Sequence, residues 1–158
     1  MDDYTILARL LLSAALSGLV GLERALRKKP AGLRTHLMVG LGSTLIMLIS
    51  IHMAEISKGA TVDPTRIAAN VVAGLGFLGA GTIIHAGRSI HGLTTAASLW
   101  AVGALGLAVG CGFYSAALQT TVIMLVALHL LNGIEQYIVR RAGPKTEAAL
   151  KRIISRGE

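Results

Sequence analysis

Cysteine is almost absent from this chain of 158 residues, and charge is scarce: Cys111 stands alone, and Asp, Glu, Lys and Arg make up 15%. One cysteine excludes an internal disulfide and a cysteine-rich metal site; Cys111 is expected to be a small buried hydrophobe. Soluble domains carry about 25% charged residues. The deficit, with 53% apolar residues and a mean hydropathy of +0.66, argues against an ordinary soluble protein. The net charge of +7 invites a nucleic-acid reading. That reading needs a basic stripe on a soluble face, and here the bases sit between long apolar runs, so no nucleic-acid partner is expected. Period-two alternation is missing, so no strand is expected. Walker A, HExxH, CxxC and G-x-S-x-G motifs are missing too, which leaves enzyme chemistry and a bound cofactor without support. The opening Met1-Asp2-Asp3 lacks the positive start of a secretory signal, so the first apolar run reads as an uncleaved span.

What is present is five apolar runs, at residues 4–22, 35–54, 67–86, 92–110 and 113–133. A bilayer core of about 30 Å needs about 20 helical residues, and each run fits. The fourth is the weakest, because small residues dilute its hydropathy. The connector at 23–34 is charged and holds Pro30 and Gly32, and the one at 55–66 holds an Asp63-Pro64 turn signal. The expected fold is an all-α membrane protein, a bundle of about five transmembrane helices. Residues 1–137 form the transmembrane domain and residues 138–158 a basic cytoplasmic tail. Within that tail, 145–156 places Ala149, Leu150, Ile153 and Ile154 on one helical face, as a helix lying on a lipid surface would.

Lys and Arg set the orientation. Five lie in the first connector (Arg24, Arg27, Lys28, Lys29, Arg34), one in the third (Arg88) and six after residue 133. Only Lys58 and Arg66 lie on the other side. This asymmetry puts the N-terminus outside and the C-terminus in the cytoplasm. Arg9, within the first run, is expected to snorkel outward.

Gly74, Gly76 and Gly79 spell G-x-G-x-x-G, a dinucleotide-binding fingerprint only when a strand precedes it. None does, and no acidic residue follows until Glu135, where such a fold wants one about 20 residues on. Close helix packing explains the glycines better. Ala69, Ala73, Phe77 and Gly81 form a stripe, with Gly76 and Ala80 beside it. Ten of the nineteen glycines fall between 74 and 112, so the third and fourth spans are expected to form the bundle core or a seam between copies. The expected packing set is Ser13, Ser17 and Gly21 on the first span against Gly74, Gly76, Gly79 and Gly81 on the third. A helix broken at these glycines to line an ion site is the alternative.

Polar groups at membrane depth are candidate functional residues. Glu23 and Arg24 close the first span, Arg34 and Thr35 open the second, and Glu23 could meet either arginine across the connector. Arg66 and Asn70 share a face at the start of the third. Thr94, Thr95 and Ser98 bring hydroxyls into the fourth, where Trp100 is expected to pack internally. His36, His52, His85, His91 and His129 form no i, i+4 pair, and no carboxylate accompanies His85 and His91 in sequence, so no metal site is expected.

The stretches "GLER", "PAGLRTH", "RIAANVVAGLGFLGAGTII" and "GLTTAASLWAVGALGLAVGCGFY" resemble the MgtC/SapB family of bacterial inner-membrane proteins across nearly all of residues 5–130. The resemblance implies a multispan protein of the bacterial inner membrane, related to adaptation to low magnesium and to virulence. It implies action by regulating other membrane proteins, among them the proton-driven ATP synthase, with a small transporter or channel as the alternative. Its motif positions here are Glu23, Arg24, Gly32, Leu33, Arg34, Thr35, Arg66, Gly76, Phe77, Leu78, Gly79, Gly81, Gly92, Thr94, Thr95 and Trp100. Members often carry Arg where this chain has His85 and His91, which makes this loop less basic and open to pH control. Many also carry a soluble C-terminal domain, which this sequence is expected to lack. The expected partners are the lipid bilayer, further copies of the chain and other membrane proteins.

Overall fold

The computed structural model describes residues 1–57, 63–87, 89–131, 133–134 and 137; the tail at 138–158 lies outside the described residues. The chain is built of helices: α1 (Asp3–Leu26), α2 (Leu33–Ile56), α3 (Thr65–Gly81), α4 (Leu93–Gly110) and α5 (Tyr114–Val126). One π-helical turn, Ala127–Leu131, extends α5. Four of these units are long and apolar enough to cross a membrane: α1, α2, α4 and α5 with its extension. Helix α3 has 17 residues, about 25 Å at 1.5 Å per residue, slightly short of a bilayer core.

The third apolar run thus ends five residues early. Ile84–Ala86 leaves the helix as strand β1 and pairs antiparallel with β2 (Ser89–His91). This corrects the expectation of no strand. Gly92, at φ +91°, closes the hairpin into α4. A Cβ there would run into the Thr82 carbonyl, so glycine is required by both conformation and space.

Sequential helices alternate in direction. One end of the bundle gathers the Met1 amine beside Glu55, the Ser50 hydroxyl on the Pro64 carbonyl, and Arg9 against the end of α4. The other end gathers Glu23, Arg24 and Arg27, the start of α2, the hairpin, and His129, which meets Arg27. Arg9 reaches toward the turn that follows α4. It donates from Nη1 to the Gly110 carbonyl (2.6 Å) and from Nε to the Tyr114 hydroxyl (3.0 Å), supplying a cation to a helix C-terminus.

Helix α4 is the centre, touching every other helix. Its small residues let neighbours reach backbone distance. A Cβ on Gly106 would stand 2.5 Å from the Gly40 carbonyl oxygen, and one on Gly110 would stand 2.6 Å from Met47 Cβ. Gly40 in turn abuts Ser17 of α1, and Gly21 abuts Leu33 and His36. So Ser13, Ser17 and Gly21 pack on α2, not on α3. Hydroxyls line this seam: Thr44 Oγ1 lies 2.7 Å from Ser13 Oγ and 2.8 Å from the Gly106 carbonyl, and Ser17 donates to the Ser13 carbonyl (2.6 Å).

Helix α3 is peripheral, with only Val71, Leu75 and Gly79 buried. Gly79 faces Ala96 of α4, while Gly74, Gly76 and Gly81 have no neighbour within 4 Å of a Cβ position. The core is therefore α4 with α1 and α2; the expectation that α3 shares it does not hold for this single chain. Two further residues lie elsewhere than expected. Trp100 is 49% exposed on the outer side of α4. Cys111 is exposed and donates to the Ala108 carbonyl (3.2 Å).

Candidate functional site

Two places on the bundle hold features that packing alone does not require. The first is the basic end. Helix α1 closes there in a hydrogen-bonded reversal: the Lys28 amide donates to the Ala25 carbonyl (2.9 Å) and the Lys29 amide to the Arg24 carbonyl (3.0 Å). This is the Schellman pattern, in which the left-handed residue is usually glycine. Here it is Lys28, at φ +54°, at a cost of about 1 kcal/mol.

The turn sets three charged side chains together. Glu23 accepts from Arg24 Nε at 2.7 Å and from Arg27 Nε at 2.5 Å. Arg24 is 2% exposed and Glu23 12%, so this is a largely dehydrated pair rather than the solvated interfacial one that long charged side chains usually make. Arg27 reaches on to α5, with Nη2 lying 3.0 Å from His129 Nδ1. Arg34 and Thr35 are exposed in the first turn of α2. Glu23 therefore takes Arg24 and Arg27 as partners; among the described residues Arg34 makes no ion pair with it.

One turn further in, His36 is fully buried. Its Nδ1 lies 3.0 Å from the Gly32 carbonyl and its Nε2 3.0 Å from Ser98 Oγ. A carbonyl only accepts, so Nδ1 carries a proton. A neutral ring then accepts from the Ser98 hydroxyl. A charged ring donates to it while the hydroxyl turns to the Thr95 carbonyl (2.9 Å). Both protonation states are hydrogen-bonded. Thr95 is buried beside Ser98, and Thr94 is exposed.

Histidine has no such role in the hairpin. Register pairs Ile84 with His91 and His85 with Ile90, so His85 and His91 project from opposite faces and do not converge on an ion. No group of three His, Cys, Asp or Glu side chains suited to a metal occurs among the described residues.

The second place is a groove of about 600 Å³ between α2 and α3. Met38, Val39, Gly42, Ser43 and Ile46 form one wall; Ile67, Asn70, Val71, Gly74, Leu75 and Leu78 form the other. Gly42 and Gly74 leave it smooth, with open space at both Cβ positions. Asn70 is exposed on the α3 wall, and among the described residues its amide makes no hydrogen bond. Arg66, one turn earlier, is exposed at the mouth of α3. Asp63 opens that helix by accepting from the Thr65 amide (2.8 Å) and hydroxyl (2.7 Å), and these bonds hold its carboxyl below the usual value.

Of the residues picked out in sequence, Glu23, Arg24 and Gly32 meet at the basic end, and Asn70 and Gly74 line the groove. Thr95 lies near His36 through Ser98, whereas Trp100 joins neither place. His36 and Arg27 are the residues that sequence reasoning passed over. Their partners, Ser98 and His129, lie 62 and 102 positions away.

Comparison with known proteins places this arrangement. Residues 10–137 match the MgtC family. YhiD of Escherichia coli K12, whose given name proposes it as a magnesium transporter, is 42% identical over 78% of this chain and 59% of its own length. Protein MgtC of Salmonella typhimurium is 39% identical over 85% of this chain and 56% of its own length. Protein SapB of Bacillus subtilis is 36% identical over 90% of this chain and 61% of its own length. The chain thus spans about three-fifths of the length of these relatives. No solved structure gives a significant match.

Proposed function

The chain belongs to the MgtC family, and from that premise we propose that it regulates other membrane proteins by direct helix contact, without catalysing a reaction. The observation that carries this reading is the groove between α2 and α3. Its lining is apolar apart from Ser43 and Asn70. Its walls bear Gly42 and Gly74, which allow a backbone to approach closely. A lipid chain needs no smooth wall, whereas transmembrane helices associate through small residues and interhelical hydrogen bonds. Asn70 offers such a bond to a helix seated there. The occupant is therefore a transmembrane helix of another protein, one with small residues along one face and a polar side chain opposite Asn70. Proton-driven ATP synthase is one such partner suggested by the family resemblance. The setting of the bacterial cytoplasmic membrane, low magnesium and virulence belongs to the same proposal. So does the orientation, N-terminus out and basic end in.

A transporter is the second reading, and the buried polar side chains Ser13, Thr44, Ser98 and His36 within the core favour it. The name of YhiD points the same way. Liposomes holding the purified protein, assayed for fluxes of magnesium, protons and other ions, separate the two. Regulation by contact predicts no flux above empty liposomes. Flux without a partner, abolished by Thr44→Val, would establish transport instead.

A further inference from the structure

We propose that the turn between α1 and α2 is an oxyanion site, where Arg24, Arg27 and Lys28 hold a phosphate group, supplied either by an anionic phospholipid headgroup or by free inorganic phosphate. Glu23 is one carboxylate between two guanidiniums, at 2.7 Å and 2.5 Å, so the cluster keeps a net positive charge in a partly dehydrated place.

The geometry sharpens this. Arg24 is 2% exposed, yet among the described residues its side-chain hydrogen bond runs from Nε alone. Among the described residues its two Nη groups meet no acceptor. Glu23 meets this buried cation at Nε only, which leaves the Nη edge to a second anion. The two Nη groups present the fork that matches two oxygens of a phosphate.

The backbone is a separate observation. Lys28 occupies the left-handed position of the α1 reversal, where glycine would be unstrained. A lysine kept in a strained conformation points to a use for its charge at this turn. The neighbouring helix end does not oppose an anion as an open row of carbonyls would. The Glu23, Arg24 and Ala25 carbonyls already accept from the Arg27, Lys29 and Lys28 amides. The site also lies at the charged end of the apolar α1, where an anionic headgroup would meet it, with Arg34 exposed in the first turn of α2. It is separate from the α2–α3 groove and independent of the regulatory reading.

The test uses the full chain in detergent, with native mass spectrometry counting bound phosphatidylglycerol against phosphatidylcholine. A parallel titration uses inorganic phosphate against chloride at matched ionic strength. Preferential retention of phosphatidylglycerol alone identifies the headgroup, and a response to phosphate alone identifies the free ion; either supports the site. Lys28→Gly should raise the melting temperature without anion, because it relieves the backbone, and weaken anion binding about five-fold. Arg27→Gln should weaken it comparably. The proposal fails if neither anion is preferred over its control. It fails equally if both variants bind as tightly as the unaltered protein, and since Lys28→Gly favours the folded turn, its loss of binding could not be ascribed to unfolding.

Discussion

Gly106→Ala adds one methyl group, and its consequence can be worked from the α2–α4 contact. The new Cβ would stand 2.5 Å from the Gly40 carbonyl oxygen and 2.8 Å from Ser43 Cβ. Carbon atoms rest at about 3.5–4.0 Å, so the two helices must part by about 0.7 Å or more. The Thr44 hydroxyl bond to the Gly106 carbonyl, now 2.8 Å, would stretch with them. Overpacking of this kind costs about 1–3 kcal/mol. Alanine also favours a helix over glycine by up to about 1 kcal/mol, which would mask part of the loss. Gly74→Ala supplies the control, because it receives the same helix gain with open space at its Cβ. The difference between the two variants therefore reads the clash alone. Thermal unfolding in detergent should place Gly106→Ala several degrees below Gly74→Ala, at about 2–4 °C per kcal/mol. Equal melting temperatures would refute the claim that α4 meets α2 at backbone distance.

Other outcomes follow from single contacts. Glu23→Gln should destabilise the protein by about 3–5 kcal/mol, since it leaves buried Arg24 without its carboxylate; chemical denaturation in mild detergent measures it. Arg9→Met should cost about 1–2 kcal/mol by freeing the Gly110 carbonyl, and should speed amide exchange at the end of α4. Brominated lipid should quench Trp100 fluorescence strongly, because 49% of its surface faces outward; a tryptophan untouched by lipid quenchers would contradict that placement. The Asp63 carboxyl, held low by its bonds to Thr65, helps fix the start of α3 above its unfolded value of 3.8. That help is lost as pH falls below 3.8 through the lower folded value, so exchange at Thr65 and Arg66 should quicken only at such acid pH.

Hydropathy made most of the fold legible, because a span must be apolar for its whole length. It could not place the end of α3. Ile83, Ile84 and Ala86 are as apolar as the helix before them, and the positive-φ glycines of the hairpin, Gly87 and Gly92, lie beyond them. Nor did hydropathy reveal α4 as the centre: the glycines along α4 let its neighbours come close, and only their contacts show it. The G-x-G-x-x-G stretch was legible as a packing surface, but not which packing surface: α3 turns Gly79 to Ala96 and leaves Gly74 and Gly76 facing outward. Glu23 and Arg24 were visible as charges at a span end. Their burial was not, because it depends on Gly21 admitting α2. His36 was invisible as a site for the same reason that any lone histidine is, since its partner Ser98 lies on another helix.

The central claim is that the α2–α3 groove seats a helix of another membrane protein. A photoreactive amino acid placed at Gly74, activated in native membranes and followed by mass spectrometric identification of the linked peptide, tests it most directly. The account predicts one reproducible adduct within a transmembrane segment of a different protein, lost when Gly42→Leu fills the opposite wall. Adducts to lipid alone, or to a second copy of this chain alone, or an adduct indifferent to Gly42→Leu, would contradict it.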